Sequence, residues 1–438
     1  MLWSGRITAD SICYPASGGE YLIAKKLYST QPEPERALLV AVERTSGSRR
    51  TSRWDTESSL DELAQLVRTA RGRIVGRTSQ RLQRPHQAHY VGQGKLAEIV
   101  AQLDTLDYTV VVFDDELSPS QQRNLENALK VKVLDRTALI LDIFAMRANT
   151  REGRLQVELA QSEYLLPRLA GQWSHLERLG TSGRQGAMGV RGPGETQLET
   201  DRRLVRNKVT RLKREIEAVR RQRSLYRRQR SRSGVPIVAL VGYTNAGKST
   251  LMRAMTDADV FVEDQLFATL DPVTRKLHLP DGRAALLTDT VGFIQKLPTQ
   301  LIAAFRATLE ELEEADLLLH VVDITHPNAA QQGQTVDDTL AELGLTDKPR
   351  ITALNKVDLL AERNGAAITS LEELTAYEPS LAEHRPDAVL ISAERGWGLD
   401  ELRQRIAEAL SGADAAKPAP RSRRDAWPER AHSLEAGG

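Results

Sequence analysis

The sequence of 438 residues contains a single cysteine, Cys13, and only 5% aromatic residues. One cysteine excludes an internal disulfide and a cysteine-ligated metal cluster, and it fits a protein of the reducing cytoplasm. No apolar run approaches the roughly 20 residues of a membrane span, and the start of the chain lacks a basic stretch followed by an apolar one. The sequence therefore predicts a soluble cytoplasmic protein, and it leaves peripheral association with a membrane open.

Net charge is also nearly absent from the chain as a whole, since 60 Lys and Arg residues stand against 59 Asp and Glu residues. The balance hides a local excess, because fourteen basic and three acidic residues between Asp201 and Arg232 give a net charge of +11. A run of this kind is often only a solvated helix face. Here few acids are available to neutralise it, which favours an RNA phosphate backbone as partner, with predicted contacts at Arg220, Arg221 and Arg223.

The length of the chain predicts several domains, because one compact core does not usually grow so large. Residues 1–36 form an N-terminal extension that we leave unassigned. Residues 37–150 alternate short apolar runs with amphipathic helices, which predicts a small N-terminal α/β domain. Residues 234–411 alternate strands and helices again. Residues 412–438 contain too few apolar side chains to fold, and we expect a disordered tail there.

The segment between the two α/β blocks, residues 151–233, has no strand pattern and predicts two helices. In the second helix, five apolar residues recur at heptad-like spacings and form one stripe, namely Val205, Val209, Leu212, Ile216 and Val219. The simplest arrangement is an antiparallel, coiled-coil-like helical hairpin.

The loop of this hairpin, residues 171–194, holds seven glycines and three arginines. A loop of that length without its own structure is usually functional or disordered. Thr196 and Glu199 have the spacing of a capping box for the helix that follows. We expect the loop to project further RNA contacts, at Arg178, Arg184 and Arg191.

A phosphate-binding loop is the strongest motif of the chain. The apolar run Val235–Val241 leads directly into Gly-Tyr-Thr-Asn-Ala-Gly-Lys-Ser-Thr at 242–250, which matches G-x-x-x-x-G-K-[ST] after a strand. The glycines let backbone N–H groups line an anion site. Lys248 can reach the outer phosphates and Ser249 can offer its hydroxyl to Mg²⁺. The loop predicts binding of a nucleoside triphosphate without saying which base.

A second motif, Asn355-Lys356-Val357-Asp358, narrows the prediction to guanine. The Asp358 carboxylate can accept both of the N–H donors that guanine presents and that adenine lacks in that arrangement. Lys356 is expected along the plane of the base, and Asn355 is expected to brace the phosphate loop. After a further strand, the backbone N–H groups of Ser392 and Ala393 are candidate donors to the guanine carbonyl.

Two segments between these motifs have the properties of GTPase switches. Asp289-Thr290-Val291-Gly292 follows an apolar strand, so Asp289 is placed to hold Mg²⁺ through water and the Gly292 N–H to meet the γ-phosphate. Thr269, in the segment Phe267–Asp271, is the predicted second Mg²⁺ ligand and would be released when the γ-phosphate leaves.

The predicted site combines these segments. The catalytic residues are Lys248, Thr269, Gly292 and Asn245, and Mg²⁺ is the expected cofactor. The predicted contacts to GTP are Gly242, Tyr243, Thr244, Asn245, Ala246, Gly247, Lys248, Ser249, Thr250, Phe267, Ala268, Thr269, Leu270, Asp271, Asp289, Thr290, Val291, Gly292, Asn355, Lys356, Val357, Asp358, Ser392 and Ala393.

Two residues sharpen the expected mechanism. Phe293 follows the second switch motif, where many small GTPases carry a glutamine that orients water. A phenyl ring cannot do this, so we expect slow intrinsic hydrolysis that needs a stimulator. Asn245, inside the phosphate loop, has two interpretations: a hydrogen bond that braces the loop, or coordination of K⁺ beside the phosphates.

These motifs, together with Arg191-Gly192-Pro193-Gly194-Glu195-Thr196 ahead of a basic helix, resemble the HflX family of translational GTPases. The stretches at 90–99, 113–126 and 133–169 are also similar to that family, and the resemblance covers roughly residues 35 to 411. It implies an N-terminal α/β domain, a helical hairpin and a P-loop GTPase domain with a doubly wound, mainly parallel sheet.

The resemblance also implies a function. A member of this family is expected to bind GTP and GDP, to be a monomer when free, and to bind the large (50S) ribosomal subunit. It would split or rescue stalled 70S ribosomes under stress, with the hairpin reaching ribosomal RNA and the ribosome stimulating hydrolysis.

Three other functions stay open at the level of sequence. The protein could act in assembly of the ribosomal subunit, it could be a non-catalytic RNA-binding scaffold, or it could remodel RNA with ATP through its N-terminal domain. The last idea would need a second nucleotide site at Val91–Lys95. That stretch lacks the spacing of a phosphate loop, and a strand-to-helix turn is the simpler interpretation.

Overall fold

The computed structural model describes residues 34–45, 55–172, 193–231, 234–256, 266–296, 311–363, 370–377 and 388–416. From Glu35 onward these residues belong to one compact unit. Three of the predicted RNA contacts, Arg178, Arg184 and Arg191, lie outside the described residues, as does most of the predicted tail.

The N-terminal α/β domain has a four-stranded parallel sheet with strand order β2-β1-β3-β4. Its central strand β1 is an unbroken buried apolar run, because helices cover both faces of a parallel sheet. The elements are β1 (Arg36–Arg44), α1 (Thr56–Thr69), β2 (Arg73–Leu82), α2 (Gln93–Ala101), α3 (Leu103–Leu106), β3 (Val110–Phe113), α4 (Pro119–Leu129), β4 (Lys132–Asp135) and α5 (Arg136–Arg147).

The glycine-rich stretch Val91–Lys95 forms the turn into α2, with Gly92 as the N-cap residue. The Lys95 ammonium is bound within the domain, to the Thr78 hydroxyl at 3.2 Å and to the Glu98 carboxylate at 2.7 Å. This geometry agrees with the simpler interpretation of that stretch as a structural turn.

The hairpin segment forms α6 (Arg151–Gln172) and α7 (Pro193–Ser231). The predicted stripe on α7 packs against α6, with Leu212 and Ile216 buried against Leu155 and Leu159. Because α7 already begins at Pro193, Thr196 lies inside the helix, and the prediction that it caps the helix at this point was wrong.

The GTPase domain has a six-stranded sheet in the order β10-β9-β8-β5-β7-β6, parallel except for the edge strand β6. Its elements are β5 (Ile237–Gly242), α8 (Lys248–Met255), β6 (Val273–His278), β7 (Ala284–Asp289), β8 (Leu317–Asp323), α9 (Ala329–Glu342), β9 (Arg350–Asn355), α10 (Val357–Arg363), α11 (Leu371–Tyr377), β10 (Ala388–Leu390) and α12 (Leu399–Ala416). The last helix therefore extends five residues into the segment predicted to be a disordered tail.

This topology positions the site. The strands β5, β7, β9 and β10 are parallel, so the motifs that follow them meet at one edge of the sheet, where open α/β sheets bind their ligands. Among the described helices, none combines the length and the apolar character needed to cross a membrane.

Candidate functional site

The phosphate loop follows β5 and is held in place at its two glycines. A Cβ atom at Gly242 would lie 2.3 Å from the Val321 carbonyl oxygen, and one at Gly247 would lie 2.2 Å from the Asn355 side-chain nitrogen. Gly247 also has a φ of +94°, which disfavours any other residue. Close packing against β8 and the Asn355 side chain therefore fixes the loop before a nucleotide binds.

Lys248 is the buried cation of this loop. Its ammonium donates to the carbonyl oxygens of Gly242 at 3.1 Å and Tyr243 at 2.8 Å. Burial lowers the pKa of Lys248 to about 8, and the nearby Asp289 carboxylate opposes part of that shift. A phosphate group would supply the negative charge that this site lacks.

Three side-chain oxygens converge beside Lys248, and they belong to the residues predicted to hold Mg²⁺, Ser249 and Thr269 directly and Asp289 through water. The Asp289 carboxylate accepts from the hydroxyls of Ser249 at 2.6 Å and Thr269 at 2.9 Å, and the two hydroxyls are 2.8 Å apart. Burial raises the pKa of Asp289. The other Asp289 oxygen is buried and has no hydrogen-bond partner among the described residues. A hard cation that takes oxygen ligands fits this set.

The two switch motifs approach the phosphate loop closely. A Cβ atom at Gly292 would lie 2.9 Å from the Lys248 ammonium nitrogen, so only glycine leaves room for a phosphate oxygen here. The Thr244 N–H donates to the Phe293 carbonyl at 2.8 Å, and the Phe293 N–H donates to Gly242 at 3.1 Å. The Phe293 ring is buried in the core. Slow intrinsic hydrolysis stays a prediction.

At the part of the site expected to hold guanine, the structure agrees with the prediction for Asn355 and differs from the prediction for Ser392 and Ala393. The Asn355 amide donates to the Ala246 carbonyl at 2.9 Å, which confirms the predicted brace of the phosphate loop. The Ala393 N–H, however, donates to the Asn355 oxygen at 3.0 Å, and the Ser392 N–H donates to Trp397 at 3.1 Å. Both predicted donors to the guanine carbonyl are therefore used within the protein in this structure.

The two charged residues of the guanine motif lie next to this brace. The Lys356 ammonium is paired with Asp323 at 2.8 Å, which fixes its aliphatic stem beside the site. Asp358 is at the start of α10 and is largely buried. Both roles proposed for them in base recognition remain predictions.

Eleven of the 24 predicted contacts to GTP line one cleft. The residues of the cleft are Thr244, Asn245, Gly247, Lys248, Ser249, Thr250, Phe267, Ala268, Thr269, Thr290 and Gly292. Asn245 is exposed on the loop with a φ of +61°, a conformation that asparagine tolerates better than most residues. Neither of its two interpretations is decided by this position.

Two predicted contacts to GTP, Tyr243 and Asp271, have side chains that form hydrogen bonds with other parts of the protein. The Tyr243 hydroxyl donates to Glu62 of the N-terminal domain at 2.5 Å and accepts from the Gln295 N–H at 2.9 Å. The Asp271 carboxylate accepts from the N–H groups of Asn149 and Thr150, at the start of α6. Both side chains face neighbouring domains, so contacts of these two residues to GTP through the backbone stay predictions.

The three predicted RNA contacts of α7 differ in their exposure and in their ion pairs. Arg221 is exposed, with a weak pair to Glu217 one helical turn away at 3.6 Å. Arg223 forms an ion pair with the buried Glu152 of α6 at 2.7 Å and a longer one with Glu311 at 3.4 Å. Arg223 thus joins the hairpin to the GTPase domain, and its prediction as an RNA contact is corrected. Arg220 is half-buried.

A buried ionic network between the N-terminal domain and the second switch escaped the sequence analysis. Arg136 is 1% exposed and pairs with Glu62 and, at 2.9 Å, with Asp114. Lys296, just beyond the second switch motif, pairs with Asp114 and, at 2.8 Å, with Asp115. These residues follow no motif and come from distant parts of the chain, so only the tertiary structure could reveal them.

A phosphate loop, a cluster of three side-chain oxygens beside it and two switch motifs at the carboxyl edge of a mainly parallel sheet define a P-loop GTPase. Three family descriptions match the chain in order: "GTP-binding GTPase N-terminal" at residues 57–145, "GTP-binding GTPase Middle Region" at 147–230 and "50S ribosome-binding GTPase" at 237–356. The chain is similar to the GTPase HflX of Caldanaerobacter subterraneus subsp. tengcongensis, with 48% identity over 78% of both chains. It is also similar to the GTPase HflX of Lacrimispora saccharolytica, with 50% identity over 84% of this chain and 81% of the relative. The chain belongs to the HflX family of GTPases and is itself a GTPase.

Among solved structures, the chain is similar to a GTP-binding protein from the archaeon Sulfolobus solfataricus in complex with GDP. That similarity has 23% sequence identity and a TM-score of 0.42, and it covers 86% of this chain and 99% of the archaeal one.

Proposed function

We propose that this GTPase binds the large ribosomal subunit in its GTP-bound state and splits stalled or idle 70S ribosomes under stress. The observation that carries the proposal is the basic surface of α7, which adjoins the GTPase domain through Arg223. On this helix Arg203, Arg206, Arg211, Arg214 and Arg221 are all exposed. The family description "50S ribosome-binding GTPase" for residues 237–356 supports the same partner.

The basic surface suits RNA for an electrostatic reason. Arginine side chains on one exposed helix can each neutralise a phosphate and release its counterion, which gives affinity that falls steeply with salt. The two lysines that face α6, Lys208 and Lys213, are instead paired with Glu158 and Glu163, both at 2.8 Å. The basic residues nearest α6 are thus held by acids of that helix, and the exposed arginines on the rest of α7 leave a surface available for a polyanion.

The nucleotide site supplies the switch in this proposal. Lys248 and the Gly292 N–H would hold the outer phosphates of GTP, and Ser249, Thr269 and, through water, Asp289 would hold Mg²⁺. Mg²⁺ would neutralise charge that develops between the phosphates during hydrolysis. Docking on ribosomal RNA is the proposed stimulus, since Phe293 supplies no group that orients water. A K⁺ beside Asn245 would assist hydrolysis. Equal rates of GTP hydrolysis in K⁺ and Na⁺ buffers would contradict this role of K⁺.

The test is sedimentation of 70S ribosomes with the protein and a non-hydrolysable GTP analogue. We expect 70S particles to convert to subunits, with the protein on the 50S fraction. The double reversal Arg206→Glu/Arg214→Glu should abolish both binding and splitting. The matched control, Arg275→Glu/Lys276→Glu, reverses two exposed charges on β6 and should leave both unchanged.

Other outcomes separate the alternatives. Binding to free 50S subunits with a persistent 70S peak at excess protein would contradict splitting and favour a role in subunit assembly. Equal binding with GDP and the GTP analogue would favour a scaffold. ATP turnover that survives Lys248→Ala would point to remodelling of RNA by the N-terminal domain.

A further inference from the structure

Asp271 binds the first switch segment, residues 267–271, to the start of the hairpin. One carboxylate oxygen accepts from the N–H groups of Asn149 at 2.9 Å and Thr150 at 2.8 Å, and the other accepts from the Thr150 hydroxyl. Thr150 is at the same time the N-cap of α6, since its hydroxyl accepts from the Gly153 N–H at 3.0 Å. Asp271 therefore completes the cap of a 22-residue helix from another part of the chain.

The start of α6 is shaped to receive this carboxylate. A Cβ atom at Gly153 would lie 2.3 Å from the Asp271 oxygen, so the contact exists only because residue 153 has no side chain. The positive end of the helix dipole and three converging donors favour a negative charge at this place. Both chemistry and shape thus fix Asp271 against α6.

The rest of the segment has two faces. Phe267 packs edge-on against Phe144 of α5 with ring centroids 4.6 Å apart, and Leu270 is buried in the same core. Ala268 and Thr269 line the nucleotide cleft, and Phe267 also contributes to its wall. Thr269, which reaches Asp289, is only two residues from Asp271. Two residues of extended chain span at most about 7 Å, so Thr269 and Asp271 cannot move independently.

We propose that Asp271 is a positioning residue that couples the Mg²⁺ site to the helical hairpin. With Asp271 seated on α6, Thr269 is held beside Ser249 and Asp289, where it can ligate the ion. When Thr269 leaves this position, the pull on Asp271 opens the first turn of α6. Because coupling between two sites is reciprocal, a partner that displaces the hairpin changes Mg²⁺ binding by the same factor. This role depends on GTP binding alone and not on the identity of the partner.

The first measurement is the Mg²⁺ concentration that gives half-maximal binding of a fluorescent GTP analogue to the full chain. We expect Asp271→Ala to raise it at least about fivefold, the lower end of typical couplings between sites. Asp271→Asn should require a Mg²⁺ concentration between those of wild type and Asp271→Ala, because an amide oxygen still accepts from the two backbone N–H groups. Gly153→Ala, which leaves the carboxylate but fills its niche, should resemble Asp271→Ala. An unchanged value in Asp271→Ala would overturn the proposal.

The second measurement is amide hydrogen exchange at residues 149–154. In the wild-type protein, Mg²⁺ with a GTP analogue should slow exchange there relative to GDP, and Asp271→Ala should erase this difference. The matched control is Asp55→Ala, which removes another aspartate cap, the one that holds the Ser58 N–H at the start of α1. This control should preserve the difference in exchange between the two nucleotides. A nucleotide-dependent difference that persists in Asp271→Ala would overturn the proposal even if the helix start exchanges faster in every state. If Asp271→Ala does not fold, Thr150→Val serves the same comparison, because it removes the two bonds of the hydroxyl, to Asp271 and from the Gly153 N–H, and keeps both backbone bonds to Asp271.

Discussion

At the scale of single residues, Lys248 shows how a functional group can be held in an unfavourable state. Its ammonium is buried between two carbonyl oxygens, and the nearby Asp289 carboxylate raises its pKa. Burial disfavours the charged form more strongly than Asp289 favours it, so the net pKa shift is downward. The unbound site is thus destabilised at neutral pH, and the phosphates of GTP relieve this cost when they bind.

A pH experiment on nucleotide-free protein tests this account. The pKa of Lys248 is about 8 in the folded protein and 10.5 as its ordinary value. Between these values the unfolded chain keeps a proton that the folded protein has lost, so stability rises with pH in that window. Lys248→Met lacks this effect. We expect the variant to be more stable than wild type at pH 7 by up to about 3 kcal/mol, measured as a higher melting temperature. The difference in stability should narrow by pH 10.

The difference between the two proteins is the quantity to compare, because the other titrating groups are common to both. A gap that stays constant from pH 7 to pH 10 would contradict a depressed pKa at Lys248. The same variant should lose GTP hydrolysis, because it retains no cation for the outer phosphates.

At the scale of elements, the hairpin is a two-helix unit with a narrow apolar seam. Its seam consists of Leu212 and Ile216 of α7 against Leu155 and Leu159 of α6, with Val209 and Val219 at the margins. The heptad-like spacing predicted this face of α7 correctly, because a helical period determines which residues share a side. The same period could not show that Arg223 turns toward Glu152, since that depends on where α6 lies.

Removal of one seam residue should loosen the hairpin locally. Leu212 is 1% exposed, and Leu212→Ala should destabilise the packing by about 2–5 kcal/mol through lost burial and a cavity. Hydrogen exchange along α6 and α7 is the suitable measurement, because it reports the local stability of these two helices. We expect faster exchange in both helices.

The control for this experiment lies on the same helix. Leu204 is 59% exposed, and Leu204→Ala deletes the same atoms from the surface. Leu204→Ala should change the stability of the hairpin by less than about 0.5 kcal/mol, so hydrogen exchange should change little. Equal effects of the two variants would mean that the apolar seam does not hold the hairpin together.

At the scale of the whole molecule, the N-terminal domain and the GTPase domain share one buried polar network. Arg136 joins Glu62 and Asp114, Tyr243 of the phosphate loop joins Glu62, and the Arg136 guanidinium also donates to the Gln295 carbonyl at 3.2 Å. A buried ionic group that loses one partner is costly, so such a network favours one relative placement of the domains. The nucleotide site and the N-terminal domain are therefore mechanically connected through the second switch.

Tyr243→Phe tests this connection with little change in shape. The variant keeps the ring but removes the hydroxyl that donates to Glu62 and accepts from Gln295, which should cost about 1–3 kcal/mol. We expect a lower melting temperature and faster exchange at residues 292–296, with GTP still bound because Tyr243 faces away from the cleft. Tyr377→Phe, at a residue 59% exposed, is the control. A loss of GTP binding without loss of stability would contradict the assignment.

The sequence by itself determined the class of the protein and the chemistry of its site. Phosphate binding requires glycines, a lysine and a hydroxyl at fixed short spacings, so the roles of Lys248, Ser249 and Asn355 could be inferred from local order. The alternation of apolar runs likewise predicted both α/β domains, and the heptad-like stripe predicted the hairpin, because period and length decide the type of element.

Only the tertiary structure decided which partners each side chain takes across the chain. Asp271 and Tyr243 stand inside nucleotide-binding motifs, yet their side chains bind Thr150 and Glu62, which are more than a hundred residues away. Arg223 stands in a basic run and is paired with Glu152. Spacing along the chain sets the direction of a side chain on its own element, whereas its partner depends on how separate elements pack. For that reason the site could be predicted, and its connections to the other domains could not.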